Sequence, residues 1–388
     1  MHRFNMKKIL AIFSADVIAG QERLQGVYNY AGKHKNWIVV ESNRTPLSSF
    51  AGRDEINEAD GIICDSDRYA EIRRKRATVP IVQFCDSRDY VCNDENTFVL
   101  RTDNSSAGRI SAESFLRKGL CHIAFIGVSD GSYSRERLQA FRDVAKKSNA
   151  ELFVHDFRHD RGVPYSTKIT GLRDFIGSLP KPCGVFTAND DLGRIVISSA
   201  EVLKIKVPDE LAVIGADNHL SICRNTHPPL ASIDMHFVDE GFRISMALDA
   251  LLDGKKPDAG LSSGEPPSLV ERISCDYAPA DVAFISRARS IIRSSALGDV
   301  RIDAVARAVG VCRTILDREF KRVVGHTVNR EIQLCRLEKM KEYLDKTDYT
   351  AEQIASVCGF TDTSYVKVFF KRETGFTMRE WRLRRTLK

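Results

Sequence analysis

This sequence has no CxxC pair, no GxGxxG loop after a strand, no GxxxxGK[ST] and no long apolar run, and each absence closes off a class of function. Its ten cysteines (64, 85, 92, 121, 183, 223, 275, 312, 335 and 358) are scattered, with no histidine near them at finger spacing. Such spacing gives no reason to expect a zinc site or a disulfide framework, and most of these thiols read as small buried apolar residues in a reducing compartment. With neither glycine-rich loop present, nucleotide-dependent chemistry has no visible cradle. No stretch approaches the roughly 18 consecutive apolar residues of a membrane span, and no lipidation signal is seen. The opening MHRFNMKKILAIFSAD is basic and then apolar like a signal peptide, but its apolar run, Ile9 to Phe13, covers only five residues and Asp16 soon follows. It reads as a first β-strand. The expectation is a cytoplasmic protein with no metal, no cofactor and no membrane partner.

At 388 residues, 43% of them hydrophobic, the chain is long enough for two or three cores. Its charge is uneven. Residues 279–388 hold 22 Lys and Arg against 14 Asp and Glu, a net of +8, whereas the rest carries 36 against 38, a net of −2. A basic end on a near-neutral body suggests a polyanion-binding module joined to something else, although charge alone is equally consistent with a solvated basic surface.

From residue 7 to about 220, short apolar runs rich in β-branched residues alternate with helical patterns. KKILAIFS, NWIVVES, ADGIICD, VPIVQFCD, CHIAFIG, ELFVHDF, CGVFTAND and LAVIGADN are the expected strands. Between several of them, ERLQGVYNYAGKH, SSAGRISAESFLRKG, SRERLQAFRDVAKKS and DLGRIVISSAEVLK place apolar residues at three- and four-residue steps. That rhythm predicts parallel, doubly wound α/β sheets with helices on both faces. Eight strands exceed what one compact sheet needs, so two similar lobes facing a cleft are expected, with ligand beyond the carboxyl ends of the strands. Asn189 and Asp217 end two of these strands, and Arg137 lies just past a third. Carboxylate, amide and guanidinium together suit a polyhydroxylated ligand, because Asp accepts from neighbouring hydroxyls while Asn and Arg donate. Taken singly, each also fits a helix cap or a strand-end hydrogen bond.

The run VLRTDNSSAGRISAESFLRKGLCHIAFIG, followed by RLQAF, VFTAND and LAVIGADN, resembles the effector domain of the lactose and galactose repressor family, itself similar to periplasmic sugar-binding proteins. The resemblance covers roughly residues 7–275. It implies that Arg137, Asn189 and Asp217 touch a sugar and that Asp103 lies near it. Ala140 stands where the family has glycine after the arginine, and Ala216 where it has an aromatic before the aspartate; both departures bear on the ligand rather than the fold. The family's N-terminal DNA-binding helices have no counterpart before the first strand near Lys7, so a DNA reader is expected elsewhere in the chain.

GVSDG, residues 127–131, also matches the GxSxG nucleophile elbow and follows an apolar strand as an elbow should. In an elbow, however, the helix starts at the serine, whereas Ser132 and Ser134 read as caps of a helix beginning near Arg135. His155, His159, His219, His227 and His236 could each supply a base, and nothing in the sequence selects one. No catalytic residue is assigned.

The last quarter repeats a frame. FKRVVGHT, residues 320–327, returns as FKRETGFT, residues 370–377, and to their left Ala306 and Ala355, then Gly310 and Gly359, stand in matching places. Ala, three residues, Gly and an apolar residue form the helix-turn-helix pattern: alanine lets two helices approach, and glycine takes the positive φ that ends the first. Val311 and Phe360 are expected to plug the core beneath each turn, and Phe320 and Phe370 to anchor second helices over about 313–323 and 362–373. Their outer faces carry Arg313, Thr314, Asp317, Arg318 and Lys321 in the first, and Thr363, Ser364, Lys367, Lys371 and Arg372 in the second. Such residues reach base edges and phosphates when a helix lies in the major groove.

This tail, over roughly 280–385, resembles the DNA-binding domain of the arabinose-activator (AraC) family. REIQLCRLEKMKEYLDK matches its connecting helix, with Ile332, Leu337, Met340 and Leu344 as a core stripe, and Met378 departs from the family's proline after the second GxT. The expected organisation is a two-lobed periplasmic-binding-protein-like effector domain over 1–278, followed by an all-α domain over 279–388 with helix-turn-helix motifs at about 302–323 and 350–373. The order of the two resemblances implies a one-component transcription regulator, not an enzyme. The regulator would activate genes of pentose (xylose-like) catabolism, with a double-stranded DNA operator and a small sugar as partners. RNA polymerase and a second copy of the chain are further candidate partners. The alternative left open is a cytoplasmic sugar-binding or hydrolytic protein whose basic tail serves only for interaction.

Overall fold

The computed structural model of the chain describes residues 6–12, 18–34, 36–41, 54–75, 78–87, 90, 92, 94–157, 162–278, 283–294, 300–360 and 362–386. Phe13 and Ser14 of the first expected strand, Ser42 of the second, His159, and Pro279 at the expected domain boundary lie outside them. The chain divides into two compact units, 1–275 and 276–388.

In the first unit, β1 (Lys7–Ile12), α1 (Ile18–His34), β2 (Trp37–Glu41), α2 (Asp54–Glu58), β3 (Gly61–Asp65), α3 (Ser66–Lys75), β4 (Ile81–Cys85) and β5 (Thr97–Arg101) build a parallel sheet in the order β2-β1-β3-β4-β5. The second lobe comprises α4 (Asn104–Arg117), β6 (His122–Gly127), α5 (Ser132–Lys147), β7 (Glu151–Asp156), α6 (Tyr165–Ser178), β8 (Cys183–Thr187), α7 (Asp190–Val202), β9 (Leu211–Ala216), α8 (Leu220–Cys223) and β10 (Ala231–Asp234). The chain then returns to the first lobe as α9 (Phe237–Leu252) and adds β11 (Ser268–Val270) antiparallel to β10, giving the order β11-β10-β9-β8-β6-β7. All eight strands read from the sequence are present; β5, β10 and β11 are additional.

The alternation within β1 shows why the sheets are covered on both faces. Ile9 and Ala11 pack with Val27 of α1 and Ile244 and Leu248 of α9, while Leu10 and Ile12 pack on the opposite face with Ile56 and Ile72. Each fully buried Ile or Leu contributes about 1.5 to 3 kcal/mol. In the second lobe the facing rings of Phe125, Phe141 and Phe186 fill the equivalent space, with centroids 5.5 to 6.2 Å apart.

The second unit is all-helical: α10 (Ala283–Ser294), α11 (Ile302–Ala308), α12 (Arg313–Val324), α13 (Val328–Lys346), α14 (Ala351–Val357), α15 (Thr363–Thr374) and α16 (Met378–Thr386). The repeated frame has a local cause. Phe320 and Phe370 are wholly buried; Gly325 and Gly375, at φ 85° and 76°, end their helices in the left-handed region; and Thr327 and Thr377 accept from the N–H of Arg330 and Glu380 to start the next. Gly310 and Gly359, at φ 78° and 74°, make the turns inside each motif. The long α13 serves two cores, lending Val328 and Ile332 to the first motif and Leu337, Met340 and Leu344 to the second. A buried ionic group pins this unit's first residue: Asp276 pairs with Arg289 and Arg293, both arginines pair with Glu331, and His326 Nε2 lies 2.8 Å from Glu331.

Candidate functional site

Arg137 of α5, 2% exposed, is the largest fully buried side chain among the described residues. It is held deep because α4 and α5 touch at Gly108, where any Cβ would overlap the Arg137 carbonyl oxygen. A guanidinium in such a place needs partners. Its Nε donates to Asn104 Oδ1 at 3.0 Å, and its Nη1 donates to the Ala188 carbonyl and to Asp217 Oδ1, the latter at 3.1 Å. The Tyr133 ring covers it, 5.2 Å from centroid to guanidinium carbon. Asp217 follows β9 at φ 102°, a strained conformation for a residue with a side chain and one that concentrates at functional sites. Burial pushes its carboxyl up to about 6; Arg137 opposes that and Asp86 adds to it. The amide nitrogen of Asn104 is buried and has no acceptor among the described residues.

Of the residues expected at a ligand, Arg137 and Asp217 are in direct contact. Asn189 caps α7, accepting from the Leu192 N–H at 3.0 Å. Asp103 caps α4 through the Ser106 N–H at 3.0 Å and stands beside Asn104 in the chain. Next to the pair, Asp190 is fully buried and accepts from the Ser232 hydroxyl, the His219 N–H and the Cys223 thiol at 2.6, 2.7 and 3.3 Å; burial, with Asp217 nearby, still pushes it up to about 7.

One reading of this region is corrected. The helix after GVSDG begins at Ser132, not near Arg135, with Gly131 at its cap, and neither serine caps it. Ser134 instead points inward and accepts the Val128 N–H at 3.0 Å, because the strand end needs a partner that the helix does not supply. Ser129 stands ahead of the helix, its N–H donating to Asp156 at 2.9 Å, so the turn is not built as an elbow. His155 lies stacked on Phe175.

The first lobe carries a counterpart that sequence reasoning missed. Arg23 of α1, 4% exposed, donates to Glu240 of α9 at 2.9 Å and to Thr102 at 2.7 Å, and reaches Asp86 at 3.4 Å and Asp65 at 4.0 Å, with the Phe84 ring 4.4 Å away. Burial works against its charge, but these carboxylates hold its pKa above the usual value. The two lobes share one parallel strand order; Asp65 ends β3 and Asp86 follows β4, as Asn189 and Asp217 follow β8 and β9. A signal was present: ERLQ occurs at 22–25 and again at 136–139, on α1 and α5, the helices that follow β1 and β6. Glu22, also on α1, faces the carboxylates of the other lobe; burial together with Asp234, Asp217 and Asp190 pushes it up to about 8. Thr102 and Asn104, either side of Asp103, therefore tie the crossover between the lobes to both arginines.

In the second unit, Leu316 and Phe320 of α12 and Val366, Phe369 and Phe370 of α15 face inward. Arg313, Thr314, Arg318, Lys321, Ser364, Lys367, Lys371 and Arg372 are exposed, and Asp317 and Thr363 half-buried. Several of these cations already have weak exposed partners: Arg313 lies 3.5 Å from Asp303 and 3.6 Å from Asp317, Arg318 2.8 Å from Glu319, and Lys367 3.6 Å from Glu352. Exposed pairs of this kind contribute about 0.2 to 1 kcal/mol, so a phosphate can replace them.

A family profile described as a periplasmic binding protein-like domain matches residues 112–275, and one described as a helix-turn-helix domain matches 305–384. The chain is 27% identical to the xylose operon regulatory protein of Escherichia coli K12 over 384 residues, 97% of this chain and 96% of that one. It is 24% identical to the protein of the same name from Haemophilus influenzae, over 97% and 98% of the two chains. A solved structure described as a xylose-binding transcription activator superposes with a TM-score of 0.60 at 25% identity, covering 97% of both chains. The chain is a sugar-responsive transcription regulator. It is homologous to the xylose operon regulators and joins a periplasmic-binding-like domain to a helix-turn-helix domain of the AraC type. The regulator's first unit also shares its fold with a cellobiose complex of the regulator CelR, at a TM-score of 0.55 and 20% identity over 70% of this chain. Its homologues are transcription regulators, and no helix among the described residues is long and apolar enough to cross a membrane.

Proposed function

We propose that the regulator activates pentose catabolism genes on binding xylose, or a sugar of that size, in the cleft of the first unit. The observation that carries this reading is the buried Arg137–Asp217 pair. Asp217 accepts from sugar hydroxyls, while Arg137, the amide nitrogens of Asn104 and Asn189, and Asp103 at the crossover complete a set of donors and acceptors that suits a polyol. The names of the full-length relatives support the pentose. Binding at Arg137 is felt by Asn104, and through Thr102 by Arg23, so ligand biases how the two lobes are held at their crossover.

In this reading residues 1–278 sense the sugar, and 279–388 bind a double-stranded operator through the outer faces of α12 and α15. Two such helices on one scaffold suit successive major grooves about 34 Å apart. Pairing of two copies and contact with RNA polymerase belong to the same reading, as does action inside the cytoplasm. Calorimetric titration of the full chain with D-xylose, other pentoses and hexoses tests it. A pentose that binds while hexoses do not is the expected result; a folded chain that takes none of these sugars overturns the assignment.

A further inference from the structure

Aligning the two recognition helices on Phe320 and Phe370 pairs Arg313 with Thr363, Thr314 with Ser364, Ile315 with Tyr365, Asp317 with Lys367 and Arg318 with Val368. The last pair is unlike in chemistry and alike in position. Arg318 exposes 71% of its side chain, and Val368, 67% exposed, is the most exposed large apolar residue among those described. Val368 is not alone. Tyr365, one turn earlier on the same stripe, is 44% exposed, and Ser364, Lys371 and Arg372 complete that stripe at helical spacing. The inward stripe, Val366, Phe369 and Phe370, is wholly spent on the core, so the outward valine has no packing role in its own unit.

We infer that Val368 is a specificity residue of the second helix, reading the 5-methyl group of thymine, whereas its counterpart Arg318 makes the first helix a reader of guanine. The rim selects a DNA occupant rather than a protein one: Lys367, Lys371 and Arg372 surround the apolar spot, and α15 carries a single acid, Glu373, which is already shared by Arg330 and Arg372 at 2.7 and 3.0 Å. In the major groove a methyl group is the one apolar feature of a base edge, and apolar side chains recognise it while arginine bonds guanine O6 and N7. The inference rests on the reading of both helices as DNA readers and deepens it by assigning the base class at each.

The test uses the full chain and a randomised duplex pool, followed by replacement of single thymines with uracil, which removes only the methyl group. The half-site read by α15 is expected to contain a thymine whose replacement weakens binding about fourfold, the order expected for losing one buried methyl. In Val368→Ala that replacement should have no effect, and Val368→Arg should redirect the position to guanine. Methyl sensitivity that persists in Val368→Ala, or a wild-type site indifferent to every thymine-to-uracil change, overturns the inference. A Val368→Ala chain with unchanged affinity and preference assigns the patch to a protein partner and does the same. A full chain that selects no sequence at all overturns the broader reading of the helices as well.

Discussion

The two lobes of the first unit present the same tetrapeptide, ERLQ, on the same helix of the same strand order, yet their arginines live differently. Arg23 is closed on every side: Glu240, 2% exposed, holds its Nε, and Thr102, Asp86 and Asp65 take the rest. Arg137 has one carboxylate, Asp217, and two neutral oxygens, and the carboxylate is strained in φ and pushed up in pKa. Burial of a charge is tolerable only with compensating partners. A site that is fully compensated is a structural clamp, and one that is compensated in part retains free energy to give to a ligand.

Glu240→Ala should have the largest effect. It strands a buried guanidinium, and removal of one partner of such a pair costs about 3 to 5 kcal/mol. Chemical denaturation should show that loss in the first unit's transition; a change within error would mean that Asp86 and Asp65 suffice and that the clamp is not one. Asp217→Ala comes next. It also leaves a buried guanidinium, Arg137, without its one carboxylate, so stability should fall here too, and unlike Glu240→Ala it should lower sugar affinity tenfold or more, the loss of a charge-assisted hydrogen bond of about 1.5 to 3 kcal/mol.

Glu22→Gln gives the smallest effect and carries a sign. Burial and the neighbouring acids push the folded carboxyl up to about 8 from its ordinary 4.5, so the folded chain keeps a proton that the unfolded chain releases between those values. Wild-type stability from this group is intact below pH 4.5 and lost as pH rises through about 8. The variant should therefore match wild type near pH 4.5 and melt a few degrees higher at pH 8. Equal melting at both would mean that Glu22 does not face the acids of the other lobe.

Much of this was legible in the chain because its cause is local. The apolar runs marked eight strands, since strands covered on both faces must be apolar throughout. β5, β10 and β11 escaped because they are short or lie at sheet edges, where one face suffices: TFVLR buries only Leu100. In the tail, Phe, Gly and Thr act within a few residues of one another, so the repeat could be read directly. The cleft could be read on one side only. Arg137 and Asp217 follow strands as ligand residues do, but Arg23 acquires its meaning from partners at 65, 86, 102 and 240 that only the fold brings together. Ser134 was misread for a related reason, since its partner is the Val128 N–H of the preceding strand rather than its own helix.

We propose that ligand at the Arg137–Asp217 pair controls operator binding by the tail. Fluorescence anisotropy of a labelled operator with the full chain, titrated with the pentose that calorimetry identifies, tests it in wild type and in Asp217→Ala. The predicted result is a pentose-dependent change in operator affinity for the wild type, and a variant that binds operator as the sugar-free wild type does and ignores the pentose. A folded Asp217→Ala chain that responds to the pentose as wild type does would contradict the account.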